Sequence, residues 1–393
     1  MKKIIRKAFK FQLKVTPETS QKLANFAGGS RFVWNKSLAL NLFRLENKFP
    51  LMWYQELNFW STLWKQSDEY GFVKELPSQV LQQKLKDLEK AFKDAFDKNQ
   101  PLKRIPVFKK KGLHDSFRYP QGFKVDQDKS KVFLPKIGWV SYRNSRKVVG
   151  DAKNITVSRK GAHWYISIQT EYQAELLAHK STSIVGIDMG IKQFATLSDG
   201  TVYAPLNSFK AKAERLAKLQ RQLKNKKKFS NNWKKVKSKI TKCHEDIGNA
   251  RKDYLHKVST EISESQAIIV IEDLRVKNMS KSSKGNSENK GKKVAQKSGL
   301  NKAILDQGWS MFSAMLEYKQ SWNSGVVIRV PAQYTSQTCP CCHHVAKENR
   351  LTQAEFVCVE CGFSENADLV GAINVLAKGH ALLAGNQPSD RRG

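Results

Sequence analysis

Apolar and basic residues alternate near the start of the chain. Residues 4–15, IIRKAFKFQLKV, have the period-two pattern of a strand with one buried face. Thr16 and Pro17 then suit a helix cap and a first helical position, so a helix is expected to begin here. Apolar residues at helical spacing continue to about residue 96. In the segment SQVLQQKLKDLEKAFKDAF the predicted core face consists of Val80, Leu81, Leu85, Leu88 and Phe92.

Short strand patterns replace the helical one after residue 97. The segment NITVSRKGAHWYISIQTEY predicts a hairpin that turns near Lys160 and Gly161. We therefore expect a β-rich module formed by residues 1–18 and 100–175, with the helical residues 19–99 inserted into it.

Two apolar runs in the C-terminal half each end in an acidic residue. Ile184–Ile187 precedes Asp188, residues 267–271 precede Glu272, and both runs have the composition of buried central strands. A helical hairpin is expected between them, over residues 209–262. Residues 277–299 have almost no apolar content and predict a mobile basic loop, followed by a helix from Leu300 to about Trp322 and a strand over residues 325–330.

Asp368 opens a further helical pattern, and the element order matches an RNase H-like core in which three acids converge. Such acids bind two Mg²⁺ ions, which prefer hard oxygen ligands and assist phosphodiester hydrolysis. We expect Asp188 to bridge both ions, and Glu272 and Asp368 to hold one each. Each acid alone is more often a surface or capping carboxylate, and only their joint placement in the right element order favours a catalytic site.

Two Cys-x-x-Cys pairs, separated by fifteen residues, predict a structural zinc site. A disulfide framework is disfavoured in a chain of 393 residues with six cysteines and no signal peptide. Cys341 crowds the first pair, but its spacing suits a zinc turn less well, and Cys243 has the pattern of a small buried hydrophobe. The predicted ligands are Cys339, Cys342, Cys358 and Cys361.

A net charge of +34 indicates a polyanionic partner, and nucleic acid is the natural one. A membrane surface is disfavoured because the basic residues are spread along the chain, and no apolar run is long enough to span a bilayer. We expect a cytosolic protein. The candidate nucleic-acid contacts, for which a plain solvated face is the alternative, are Gln79, Gln82, Gln83 and Lys86 on one helix and Lys226, Lys227 and Lys228 in a basic linker.

The segments GIDMGIKQFATLSDG, VIEDLRVKNM, TSQTCPCC, FVCVECG and NADLVGAINVL resemble the nuclease core of the TnpB family, which comprises transposon-encoded, RNA-guided DNA endonucleases related to type V CRISPR effectors. FVWNKSLALN and LPSQVLQQKLKDLEKAF resemble its N-terminal half, so the likeness covers nearly the whole chain. One departure is His343, which stands where the family usually has a glycine after the second cysteine.

The resemblance implies a multidomain α/β and β fold with a RuvC-like nuclease core. Residues 1–18 and 100–175 would form a β-barrel-like wedge domain, and residues 19–99 a helical recognition domain. The nuclease domain would span residues 176–334 and 363–379, with a zinc insertion at 335–362 and a disordered tail at 380–393. Asp188, Glu272 and Asp368 would be the catalytic acids.

The resemblance also implies partners and an activity. A guide RNA from the transposon end would pair with double-stranded target DNA beside a short adjacent motif, and one site would cut both strands. A monomer near the prokaryotic nucleoid is expected. Three alternatives remain open: an RNA-guided repressor without cleavage, a transposase that joins strands, and an RNA-binding structural factor.

Overall fold

The computed structural model describes residues 2–113, 115–175, 178–286, 289 and 291–385. The chain divides into two compact units, Met1–Glu175 and Leu176–Gly393, and each is described by itself.

The first unit contains a seven-stranded antiparallel sheet with the order β2-β6-β7-β1-β5-β4-β3. The strands are β1 (Lys2–Lys14), β2 (Ser116–Tyr119), β3 (Lys124–Asp126), β4 (Lys131–Leu134), β5 (Gly138–Tyr142), β6 (Asp151–Lys160) and β7 (His163–Glu175). β6 and β7 form the predicted hairpin with the predicted turn, because Gly161 supplies the positive φ that the turn requires.

Three α-helices follow β1 in this unit: α1 (Pro17–Glu46), α2 (Tyr54–Gln66) and α3 (Ser78–Phe96), with a short 3₁₀ helix at Gly71–Glu75. The predicted start of α1 is confirmed, since the Thr16 hydroxyl accepts a hydrogen bond from the backbone N–H of Thr19 at 3.2 Å. The predicted core face of α3 is also confirmed, because all five of its apolar residues are buried.

The second unit contains a five-stranded sheet with the order β10-β9-β8-β11-β12. Its strands are β8 (Ile184–Asp188), β9 (Ala195–Leu197), β10 (Val202–Tyr203), β11 (Ile268–Glu272) and β12 (Val326–Val330). β8, β11 and β12 run parallel, and β9 and β10 are antiparallel additions. β13 (Glu355–Val357) and β14 (Ser364–Asn366) form a separate small ribbon.

Helices cover both faces of this sheet. They are α4 (Ser208–Lys224), α5 (Asn231–Ser265), α6 (Val276–Met279), α7 (Val294–Gln307), α8 (Trp309–Asn323) and α9 (Ala367–Leu383). One core joins Ile269 and Ile271 of β11 to residues of α5 and α8, and a second core joins Val270 to Val375 of α9. Alternate residues of one strand thus pack on opposite sides, as expected for a buried central strand.

α9 packs unusually close to the sheet because glycines stand at its contacts. A Cβ atom on Gly186 of β8 would collide with the carbonyl oxygen of Ala372, and one on Gly379 would collide with Val270. The missing side chain of Gly186 therefore leaves room for the backbone of α9.

Two predicted elements have the wrong bounds. The basic loop predicted over residues 277–299 is too long, since α6 reaches Met279 and α7 begins at Val294. Residues 287, 288 and 290 of that loop lie outside the described residues. The Lys297 ammonium donates to the carbonyl of Met279 at 2.7 Å, a tertiary bond that composition does not reveal. The helix predicted from Leu300 to Trp322 is two helices, because Gly308 adopts a φ of 75° between them.

The predicted tail begins too early. α9 continues to Leu383 because Leu382 packs against the core on that face of the sheet. The remainder of the predicted tail, residues 386–393, lies outside the described residues. Within the part of the chain that is described, no helix is both long and apolar enough to cross a membrane.

Candidate metal centres

The three predicted acids stand at one edge of the second sheet. Asp188 ends β8 and Glu272 ends β11, and these parallel neighbours pair Ile187 with Ile271 just before their ends. Asp368 lies in the first turn of α9, which packs on both strands. One turn further along α9, the backbone of Gly371 lies beside the Asp188 carboxylate. The fold therefore places the three acids at the same edge of the sheet, and their catalytic role stays a prediction. Within the described residues, the side chains whose ligand atoms already lie close enough together to hold a metal ion are the four cysteines described below.

The charges of these acids influence one another. Burial, and to a smaller extent the carboxylates of Glu272 and Asp368, raises the pKa of Asp188 to about 7, while Arg350 opposes the rise. Burial also raises the pKa of Glu272, and a hydrogen bond from Thr335 and the charge of Lys378 counteract it. A cluster of partly desolvated carboxylates is a site at which a cation is favourable.

Two residues that sequence reasoning missed contact these acids. The Thr335 hydroxyl donates to Glu272 Oε1 at 2.6 Å, and Arg350 Nη2 lies 3.2 Å from Asp368 Oδ1. Thr335 belongs to the TSQ run just before the first cysteine, and Arg350 stands between the cysteine pairs. Proximity to the cysteine motif was the available signal, but nothing in local composition distinguishes either residue from its neighbours.

The four predicted cysteines form a cluster that could hold a metal ion, with all four sulfurs within 4.8 Å of one another. Cys339 Sγ lies 3.6 Å from Cys361 Sγ, and Cys342 Sγ lies 3.6 Å from Cys358 Sγ. A tetrahedral zinc ion with Zn–S distances of about 2.3 Å requires sulfurs about 3.8 Å apart, so the donor set fits zinc. Cys341 is exposed and outside this group, as predicted.

The two cysteine turns have the same backbone geometry. The N–H of His343 donates to Cys339 O, the N–H of Gly362 donates to Cys358 O, and both distances are 3.0 Å. His343 has a φ of 63° and Gly362 a φ of 73°, so both turns need a left-handed residue in the position after the second cysteine. His343 therefore adopts a left-handed backbone conformation that glycine would adopt more easily.

A buried amide joins the two turns. Asn349 is only 1% exposed, and its Nδ2 donates to Gln337 O at 2.9 Å and to His344 O at 3.2 Å. Its Oδ1 accepts from the N–H of Val359 at 3.0 Å. Because Arg350 follows directly, the cysteine loop holds the backbone from which the guanidinium reaches Asp368.

The predicted nucleic-acid contacts lie on other surfaces. On α3, Gln79, Gln82 and Gln83 are half-buried and Lys86 is exposed. The Gln83 amide donates to Asp87 at 3.0 Å. The linker residues Lys226, Lys227 and Lys228 between α4 and α5 are exposed. The role of these seven residues stays a prediction.

Comparison with known proteins identifies the lineage. The family OrfB_IS605, described as "Probable transposase", matches residues 167–283, and the description "Cas12f1-like, TNB domain" matches residues 309–375. An Escherichia coli (strain K12) protein named "Putative RNA-guided DNA endonuclease InsQ" is 51% identical over 377 residues, covering 96% of this chain and 93% of that protein. The chain belongs to the TnpB family.

A second sequence relative and one solved structure are also similar to this TnpB-family chain. A Streptomyces pristinaespiralis protein named "Putative RNA-guided DNA endonuclease" is 30% identical over 384 residues, covering 97% of this chain and 91% of its own length. A structure titled "Cryo-EM structure of the Cas12f1-sgRNA-target DNA complex" covers 95% of this chain and 98% of its own, with a TM-score of 0.51 and 14% identity. At that identity the likeness establishes a shared mixed α/β fold alone.

Proposed function

We propose that this TnpB-family chain is an RNA-guided DNA endonuclease whose second unit is a RuvC-like, RNase H-type nuclease core. The observation that carries the proposal is the placement of Asp188, Glu272 and Asp368 at one edge of the parallel strands. The names of the relatives at 51% and 30% identity support the guided nuclease activity.

The acids would hold two Mg²⁺ ions, with Asp188 shared and with Glu272 and Asp368 on one ion each. When bound, the ions would supply an activated water and offset charge on the leaving oxygen of the phosphodiester. Asp188, whose pKa is about 7, must lose its proton to act as a ligand. Thr335 would orient Glu272, and Arg350 would exchange its contact with Asp368 for a phosphate oxygen of the DNA.

The four cysteines would hold one structural zinc ion, which would fix the loop that carries Arg350. A net charge of +34 provides the electrostatic basis for binding a guide RNA from the transposon end and the target DNA. The wedge and recognition domains would lie in the first unit, where Gln79, Gln82, Gln83 and Lys86 would contact the adjacent motif. Lys226, Lys227 and Lys228 would contact phosphates. We propose that the chain acts as a monomer near the nucleoid.

A strand-transferring transposase is the second candidate, because the matching family is described as "Probable transposase". The same three acids would serve it. An RNA-guided repressor without cleavage is less well supported, since such a protein would not need all three carboxylates.

The test uses the full chain purified with its RNA, incubated with matched double-stranded DNA and Mg²⁺. We expect linear product, a dependence on guide pairing, and no joined strands when transposon ends are supplied. Asp188→Asn should lower cleavage by about 10³-fold or more while retaining the RNA, because it removes a metal ligand at constant shape. Asp273→Asn is the matched control, since Asp273 is an exposed neighbour of Glu272 that pairs with Arg329.

Cleavage by Asp188→Asn at the wild-type rate would overturn the active-site assignment. Joined products without guide dependence would favour the transposase. Tight RNA binding without any DNA cleavage by the wild type would favour the RNA-binding structural factor.

A further inference from the structure

Hydrogen bonds and short pieces of backbone connect Glu272 to the cysteine cluster. Thr335 and Glu272 are both buried, and Thr335 Oγ1 lies 2.6 Å from Glu272 Oε1 and 3.0 Å from the carbonyl of Ala332. A hydroxyl has one proton to donate, and the shorter, charge-assisted contact to a carboxylate is the stronger of the two. The proton of Thr335 is therefore directed at Glu272.

The other end of the connection is an amide on α9. Asn374 is buried, and its Nδ2 donates to Thr335 O at 2.8 Å and to Thr338 O at 2.7 Å. Both protons of the amide are used in this way. Thr338 directly precedes Cys339, so Asn374 fixes the turn between the side chain that holds Glu272 and the first sulfur of the cluster.

Lys378, four residues after Asn374 on α9, also binds the loop that carries Thr335. Its ammonium donates to Pro331 O at 3.1 Å and to Gln333 O. α9 thus contacts the turn over residues 331–338 through two side chains, and its own first turn carries Asp368. A single helix therefore carries Asp368 and also holds the turn from which Thr335 binds Glu272.

We propose that Thr335, whose backbone carbonyl Asn374 binds, is a positioning residue for divalent-metal binding at Glu272. The inference rests on the proposed function, since it assumes that Glu272 is a metal ligand. With one carboxylate oxygen fixed by Thr335, the direction of the other oxygen is fixed as well. Partners of this kind typically change metal affinity by about 10–100-fold when they are removed.

Thr335→Val is the informative variant, because valine keeps the shape and the main-chain carbonyl that Asn374 binds while it removes the hydroxyl. Thr335→Ser restores the hydroxyl and is the matched control. Glu272→Gln removes a proposed ligand, so the Mn²⁺ binding that this variant loses is the part that belongs to the proposed metal site. All variants are compared as full chains loaded with the same RNA, so that metal bound by the RNA is common to every sample.

Three quantities are measured: Mn²⁺ binding by electron paramagnetic resonance, the Mg²⁺ concentration for half-maximal cleavage, and the zinc content by elemental analysis. For Thr335→Val we expect about 10–100-fold weaker Mn²⁺ binding and a similar rise in the Mg²⁺ requirement. Its zinc content should equal that of the wild type. Thr335→Ser should lie within about threefold of the wild type.

The outcomes separate the two proposals. If Glu272→Gln leaves Mn²⁺ binding unchanged, the proposed metal site itself is wrong. If Glu272→Gln weakens binding and Thr335→Val does not, the active site stands and the positioning inference is overturned. Loss of zinc from Thr335→Val would also overturn it, because the bonds of Asn374 to the turn do not involve the hydroxyl.

Discussion

The carboxylate of Asp188 lies 2.9 Å, measured from Oδ2, from the point that a Cβ atom on Gly371 would occupy. Real Cβ atoms essentially never approach another atom so closely. The missing side chain at Gly371 therefore lets the Asp188 carboxylate keep its present position against α9, one turn from Asp368.

Gly371→Ala is expected to displace the Asp188 carboxylate and to lower DNA cleavage by at least about tenfold. Stability should change little, since alanine favours a helix over glycine by about 1 kcal/mol and offsets the crowding. Urea unfolding and a cleavage time course measure the two effects. Gly248→Ala in α5, where a Cβ atom meets nothing within 4 Å, is the control and should keep full activity. Wild-type cleavage by Gly371→Ala would refute the geometric argument.

His343→Gly is expected to strengthen the cysteine cluster. An L-residue in the left-handed region costs about 1–2 kcal/mol, and His343 has a φ of 63°. Glycine should relieve most of this cost and tighten zinc binding several-fold in competition with a chromophoric chelator. His343→Ala keeps the backbone cost and serves as the control, while Gly362→Ala should weaken binding by a similar factor. Equal affinity of the glycine and alanine variants would show that the backbone conformation is not the cause.

Asp306→Ala should destabilise the second unit by about 2–4 kcal/mol, because a buried charge and a helix cap are lost together. Asp306 lies on α7, is buried, and accepts hydrogen bonds from the N–H of Phe209 at 2.9 Å and from Arg251 at 2.5 Å. Removal leaves Arg251 and the first turn of α4 without this partner. The free energy of unfolding in urea measures the loss.

The control for Asp306 is Asp253→Ala in α5. Asp253 pairs with Lys257 at 2.8 Å, but both side chains are exposed, and such pairs contribute less than about 1 kcal/mol. A similar loss for both variants would mean that burial of the Asp306 pair is unimportant.

Lys319 should make stability rise with pH in the alkaline range. Burial lowers the pKa of Lys319 to about 8, with Glu264 opposing, and its ammonium donates to Ser259 Oγ at 2.7 Å and Thr260 Oγ1 at 2.6 Å. The unfolded chain keeps this proton to a pKa of about 10.4, so it binds more protons than the folded chain between these values. The group therefore destabilises the fold below pH 8, and that penalty disappears as the pH rises.

The measurement for Lys319 compares the wild type with Lys319→Met from pH 7 to 10. The free energy of unfolding of the wild type should increase relative to the variant by about 1–3 kcal/mol over this range. A constant difference would contradict the prediction.

Local patterns were sufficient to predict much of the fold. The apolar runs before Asp188 and Glu272 are buried parallel strands, Thr16 caps α1, and the hairpin turns at Gly161. Each of these features depends on residues adjacent in sequence. Parallel neighbouring strands end at the same edge of a sheet, which is why two of the three acids could be placed together before any coordinates were known.

Features that depend on distant partners were not predictable in this way. Lys297 of α7 binds the carbonyl of Met279, and Thr335 and Arg350 contact carboxylates that are far from them in sequence. A threonine and an arginine in a polar, cysteine-rich stretch have no periodicity that marks them. Glycines are a partial exception. A glycine such as Gly186 or Gly371 indicates that some other group lies close to the backbone at that position, but the sequence does not say which group it is.

The glycine at position 371 also has an evolutionary consequence. A glycine codon becomes an alanine, valine or acidic codon by one base substitution, and each of these residues adds atoms where the Asp188 carboxylate lies. The contacts elsewhere in the chain would be untouched. Under the proposed function, a single base change at this codon would therefore weaken DNA cleavage without replacing any of the three acids or the four cysteines.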